Sequence, residues 1–266
     1  MYSFNYVKAK SLRDVSDFLQ ANPDARPLAG GMTLIPTLKA RLAQPSHLID
    51  ISGLEELKGI DSKGNALVIG AGTRHCEVAR SARVRESIPA LAALAERIGD
   101  PQVRNCGTIG GSVANNDPAA DYPAAVLGLA ATVITTRREI AADDFFQGMF
   151  ATALEPGELV LRIAFPVPRR AAYEKFPHPA SGYAMTGVFV AETADGVRVA
   201  VTGAGPGVFR WRVAESALSK KFAVESIGNL AMPAEDLNQD IHGTREYRAN
   251  LVSVMARRAV AQIAGR

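Results

Sequence analysis

The chain has 266 residues, 47% of them hydrophobic and 21% charged, with a formal charge of +3. That length suffices for more than one hydrophobic core, most simply two domains, and the composition is ordinary for a soluble globular protein. Scattered arginines speak against nucleic acid as a partner; with no apolar run of membrane-spanning length and no signal-peptide core in Met1-Tyr2-Ser3-Phe4-Asn5-Tyr6, a cytoplasmic protein is expected.

The first predicted element is a helix. Ser11 is placed to cap it, Asp14 stands three residues on, and Leu12, Val15, Phe18 and Leu19 share one face. It stops near Asn22-Pro23. A short strand around Arg26-Pro27-Leu28 leads into Ala29-Gly30-Gly31-Met32-Thr33. A second helix follows over 34–42, with Thr33 as its N-cap and Pro36 in the first turn. Leu48-Ile49-Asp50-Ile51 reads as a short buried strand. Farther on come a strand over 66–72, helices over 76–82 and 89–98, an all-apolar buried helix over 124–130, and strands over 132–135 and 159–165. Pro166-Val167-Pro168-Arg169-Arg170 is the best linker. Beyond it, 183–192 and 197–203 predict a hairpin turned by Ala194-Asp195-Gly196, and a helix over 244–264 closes the chain.

Two glycine-rich stretches stand out. Cys106-Gly107-Thr108-Ile109-Gly110-Gly111-Ser112 is poor material for a helix or an ordinary strand, because glycine loses the most backbone freedom on folding. Bare N–H groups beside Thr and Ser hydroxyls suit phosphate oxygens, although a tight turn without a ligand would use the same residues. Ala29-Gly30-Gly31-Met32-Thr33 repeats the theme between a strand and a helix, where backbone donors meet the positive end of a helix dipole. Two such loops from separate subdomains could cradle the two phosphates of a pyrophosphate. Neither is the G-x-G-x-x-G dinucleotide fingerprint. Cys76 and Cys106 are too few for an iron–sulfur cluster or a disulfide scaffold, and the four histidines lack metal-ligand spacing.

These paired motifs, with Asp117-Pro118-Ala119-Ala120-Asp121-Tyr122-Pro123 behind the second, resemble the FAD-binding (medium) subunit of molybdenum hydroxylases, the aerobic carbon monoxide dehydrogenase and xanthine dehydrogenase group. Arg26-Pro27-Leu28-Ala29-Gly30-Gly31, Asp100-Pro101-Gln102-Val103-Arg104-Asn105, Pro156-Gly157-Glu158-Leu159, Tyr173-Glu174-Lys175-Phe176, Tyr247-Arg248 and Arg257-Arg258-Ala259 extend the resemblance over nearly the whole chain. It implies an α+β protein. Two α/β subdomains (1–54 and 55–168) would form a PCMH-type FAD-binding domain, and a smaller α+β domain would span 169–266.

The resemblance also implies the site. Ala29, Gly30, Gly31, Met32, Thr33 and Leu34 from the first loop would bind FAD, together with Gly107, Thr108, Ile109, Gly110, Gly111, Ser112 and Asn115 from the second. Met32-Thr33 replaces the His-Ser or Thr-Asp of many relatives. Asp121 would approach the adenosine ribose, or else serve a turn or helix cap. Tyr183 would face the isoalloxazine, or else be a core tyrosine at a strand start. Leu161 and Lys175 match flavin-contacting positions and are otherwise plain strand residues; Ile98 is a weaker match. Cys106 reads as a small packing residue.

No catalytic residue and no metal ligand is expected in this chain. The molybdenum cofactor and two 2Fe–2S clusters would sit in a large and a small partner subunit, in a dimer of heterotrimers serving an external electron acceptor. A stand-alone FAD-dependent oxidase of the same fold is the alternative.

Overall fold

The computed structural model describes residues 1–264. It opens on a strand, β1 (Asn5–Lys8), that local sequence does not announce: its residues are largely exposed and form no apolar stripe. The expected helix α1 (Leu12–Ala21) follows, capped by Ser11, whose hydroxyl accepts from the Asp14 N–H at 3.1 Å. Then come β2 (Arg26–Leu28), α2 (Leu34–Lys39) and β3 (His47–Asp50). β3 lies between β1 and β2 in an all-parallel sheet, Leu48 opposite both Tyr6 and Arg26. Parallel neighbours need crossovers, and α1 and α2 supply chain for them.

The second unit builds a different sheet. Its elements are β4 (Ile60–Lys63), β5 (Ala66–Gly70), α3 (His75–Arg80), α4 (Ala82–Ser87), α5 (Pro89–Glu96), α6 (Pro101–Cys106), α7 (Ile109–Asn115), α8 (Tyr122–Gly128), β6 (Thr132–Thr135), β7 (Glu139–Ala141), α9 (Ala142–Phe145), the hairpin β8 (Phe146–Gly148) and β9 (Ala151–Thr152), and β10 (Val160–Pro166). The sheet runs β4-β5-β10-β6-β7 with every pairing antiparallel. β10 takes its central place because Ile163 and Phe165 are fully buried, and its register shifts between Val160 and Arg162, at Leu161.

The glycine stretch departs from the sequence expectation. Gly110 and Gly111 lie in the first turn of α7, a helix capped by Thr108, whose hydroxyl accepts from the Gly111 N–H at 3.1 Å. Tertiary packing overrides poor helix propensity here, since a side chain at Gly110 would collide with Ala71.

The last unit has β11 (Arg170–Pro177), β12 (Ala184–Thr193), β13 (Gly196–Thr202), β14 (Phe209–Arg210), α10 (Arg212–Lys220) and α11 (Arg245–Ala264). The four strands pair antiparallel in chain order. β12 is buried on both faces, and its side chains alternate between two cores as strand geometry requires. Val188 and Val190 join Trp211, Leu218, Val252 and Met255. Phe189 and Ala191 join the core of the second unit, with Leu91, Tyr122, Val126 and Phe165. The C-terminal sheet is thus pressed onto α8, and at Gly128 a Cβ would come within 2.9 Å of the Phe189 ring.

Candidate cofactor site

The two glycine stretches touch. A side chain at Gly30 would run into the Cys106 carbonyl and the Gly107 backbone, so the first loop closes directly on the residues that lead into the second. Gly107 itself is confined, its Cβ position lying 2.6 Å from His75 Nε2. Cys106, expected as a packing residue, is exposed instead. Its backbone carbonyl does the packing and its thiol is left outside.

The glycines divide by task. Gly30, Gly107 and Gly110 are glycine because backbone or side chains crowd them. Gly31 has φ +68°, a left-handed conformation that favours glycine. Gly111 is exposed, and apart from the capping hydroxyl of Thr108 its Cβ position is open. It is the glycine of the second stretch that backbone crowding does not explain.

Backbone donors divide likewise. In the second stretch the N–H of Ile109 reaches the Thr73 carbonyl at 3.0 Å, Gly110 the Ala71 carbonyl at 2.8 Å, and Ser112 the Thr108 carbonyl at 3.0 Å. With Gly111 held by its cap, this stretch is less rich in free donors than its glycines suggest. Ser112, half-buried, keeps a hydroxyl with no acceptor among the described residues. The first loop is the richer one. Among the described residues, the consecutive N–H groups of Gly30, Gly31, Met32, Thr33 and Leu34 find no acceptor in the chain. A row of unpaired amides at a helix start is suited to an anion. Thr33, expected as a side-chain cap of α2, makes no cap bond. It lies near the Tyr183 phenol, whose pKa is pushed up by burial and by the Asp117 carboxylate and pulled back by Thr33.

Tyr183 is 44% exposed, neither a core residue nor free in solvent. It lines a cleft of about 400 Å³ with Asp117, Ala119, Phe150 and His178. Asp121 and Lys175, far apart in sequence, form a buried ion pair at 2.9 Å, their side chains 2% and 1% exposed. Tyr173 donates its phenol to the same carboxylate at 2.5 Å. Burial raises the Asp121 pKa, and Lys175 and Tyr173 pull against it. Asp121 stands at the start of α8 without capping it.

Leu161 is half-buried against the core of the first unit, and its carbonyl accepts from the Ala71 N–H at 2.9 Å. Ala71 thereby links β10 to Gly110. Ile98 is half-buried against the large core, and Asn115 is half-buried on α7.

Several participants were not legible as site residues. Arg97 donates to the Lys175 carbonyl at 2.9 Å and stacks over Tyr173. Asn116, at φ +45°, clamps the hairpin tip by donating to the carbonyls of Gly148 and Ala151 at 2.7 and 2.8 Å, setting Phe150 at the cleft. His178 and His242, 64 residues apart, bring ring nitrogens within 3.4 Å. No cluster of three or more metal-ligating side chains occurs among the described residues.

A parallel sheet joined to an antiparallel one, with two touching glycine stretches and an exposed tyrosine near the first, defines a nucleotide-cofactor domain carrying an appended C-terminal sheet. The family described as "FAD binding domain in molybdopterin dehydrogenase" matches residues 2–168, and the chain belongs to it. It is 35% identical to the glyceraldehyde dehydrogenase medium chain of Sulfolobus acidocaldarius, covering 98% of both chains. It is 37% identical to the carbon monoxide dehydrogenase medium chain of Afipia carboxidovorans, over 97% of this chain and 96% of that one. A chain of reconstituted CO dehydrogenase from Oligotropha carboxidovorans superposes with a TM-score of 0.94 at 35% identity, covering 100% of this chain and 99% of that one. The protein is therefore an FAD-binding subunit of the molybdenum hydroxylase family, an oxidoreductase component, as the motifs implied. No helix among the described residues is long and apolar enough to cross a membrane.

Proposed function

We propose that this chain is the electron-transfer flavoprotein of a three-subunit molybdenum hydroxylase, taking electrons from 2Fe–2S clusters in a small partner and passing them to an external acceptor. A large partner would hold the molybdenum cofactor, and the assembly would be a dimer of heterotrimers. The observation that carries the reading is the row of five unpaired amides, Gly30 to Leu34, with the Tyr183 phenol near Thr33 of the same loop. A pyrophosphate fits those donors, and the Ser112 hydroxyl and the open face of Gly111 in the adjoining stretch would serve the same anion. The exposed ring of Tyr183 suits a flat heteroaromatic face. Bound FAD would supply the redox chemistry, accepting and releasing electrons. The polypeptide's part is to bind, orient and shield.

The division of the chain at residues 54 and 168 accords with this reading, since it separates the three-stranded, five-stranded and four-stranded sheets. The residues after 168 form one sheet with its helices and are packed onto the second unit. The substrate of the whole enzyme belongs to the large partner. Near-equal identity to chains named for glyceraldehyde and for carbon monoxide accords with that. Co-purification of the native complex, with absorbance spectroscopy and cofactor extraction, tests the proposal. Flavin, 2Fe–2S and molybdenum signals are expected together, and a fully loaded complex without flavin would overturn it.

A further inference from the structure

Lys175 has no donor to spare. An ammonium carries three protons and accepts nothing. All three have acceptors inside the chain: Asp121 Oδ2 at 3.2 Å, the Arg97 carbonyl at 2.7 Å and the Gly182 carbonyl at 2.9 Å. Asp121 is equally committed, with Oδ1 taking the Tyr173 phenol and lying 2.9 Å from the same ammonium.

The three acceptors come from three places. Arg97 closes α5. Asp121 heads α8, a few residues behind the second glycine stretch. Gly182 immediately precedes Tyr183 in the turn between β11 and β12. That turn is closed on itself: the His178 N–H reaches the Tyr183 carbonyl at 2.7 Å, and the Gly182 N–H reaches the His178 carbonyl at 2.9 Å. Gly182, at φ +70°, completes it in the left-handed region. A tie on the Gly182 carbonyl therefore positions the turn and the Tyr183 ring as a unit.

We infer that Lys175 and Asp121 serve the cofactor at one remove: their ion pair is a buried latch that holds the 178–183 turn, and with it the Tyr183 phenol near Thr33 of the first glycine loop. Lys175 is a positioning residue and does not touch the cofactor. The inference rests on the FAD reading of the two loops and adds to it how the ring-facing tyrosine is held.

The test uses the loaded complex carrying the full-length chain as wild type, Lys175→Met, Tyr183→Ala and the double variant. FAD is quantified by extraction, and the visible circular dichroism of the bound flavin reports its ring environment. Lys175→Met is expected to retain FAD at wild-type stoichiometry while losing the same dichroic signature that Tyr183→Ala loses, with no further change in the double variant. A further change of spectrum or FAD retention when Lys175→Met is added to Tyr183→Ala would mean that the lysine contacts the cofactor, and would overturn the latch. An unchanged spectrum in Lys175→Met would overturn it as well. If the unpaired Asp121 prevents folding, the neutral pair Lys175→Met with Asp121→Asn takes the place of the single variant, with the same expectations. Wild-type complex without flavin removes the FAD reading itself; flavin-loaded wild type with additive variants removes only the latch.

Discussion

At the scale of the residue, glycines that look alike in sequence do different work. Gly30 is bare because the Cys106 carbonyl stands where its side chain would be, whereas Gly111 is bare toward open space. Gly111→Val is expected to lose FAD while the chain stays folded, seen as low flavin per chain after extraction with an unchanged far-ultraviolet spectrum. Gly30→Ala forces two backbones apart, an overpacking that costs about 1–3 kcal/mol. Its expected signature is a lowered denaturant midpoint together with flavin loss. If both variants lost stability equally, the division of labour between the two glycines would be wrong. The motif itself was legible as glycine-plus-hydroxyl. Which glycines face a ligand was not, because that depends on Ala71, His75 and Cys106 arriving from elsewhere in the fold.

At the scale of the element, the strongly periodic segments were readable and the context-dependent ones were not. α1, α8, α11 and the β12–β13 hairpin follow from apolar spacing and turn residues. β1, β4 and β7 are short strands whose identity comes from a neighbour's backbone; Asn5 to Lys8 extend because His47 to Asp50 lie alongside. α7 forms despite two glycines because Thr108 caps it and Ala71 demands a close approach. The hairpin β8–β9 depends on one side chain, Asn116, which joins it to the end of α7. Asn116→Ala removes two buried hydrogen bonds and a residue tolerant of the left-handed conformation, and is expected to cost about 1–3 kcal/mol. Denaturant unfolding measures the loss, and faster proteolysis between Gly148 and Ala151 locates it. Unaltered cleavage there would argue against the clamp.

At the scale of the whole molecule, stability carries a pH dependence that one buried group helps to set. His75 lies beneath Gly107 and against Tyr122, and burial, aided by the Arg104 charge, lowers its pKa to about 4 from an ordinary 6.5. The folded chain keeps this imidazole neutral while the unfolded chain protonates it. Between those two values the unfolded state binds more protons, so stability falls as pH falls from about 6.5 toward 4. The full span corresponds to about 3 kcal/mol. Urea unfolding at pH 7 and pH 5 is expected to show the loss, and His75→Gln is expected to flatten it. An equal slope in the variant would assign the acid sensitivity to another group.

Sequence alone determined the family, the two glycine stretches, the cofactor class and most long elements, because each is written in contiguous residues whose types carry their own physical preference. Tertiary structure decided what contiguity cannot: that the second sheet is antiparallel, that the first loop rather than the second holds the free amides, and that β12 divides its side chains between two cores. It also decided that Asp121 and Lys175 meet: the fold brings the two charges together out of water, where opposite charges and their hydrogen-bond partners must satisfy one another.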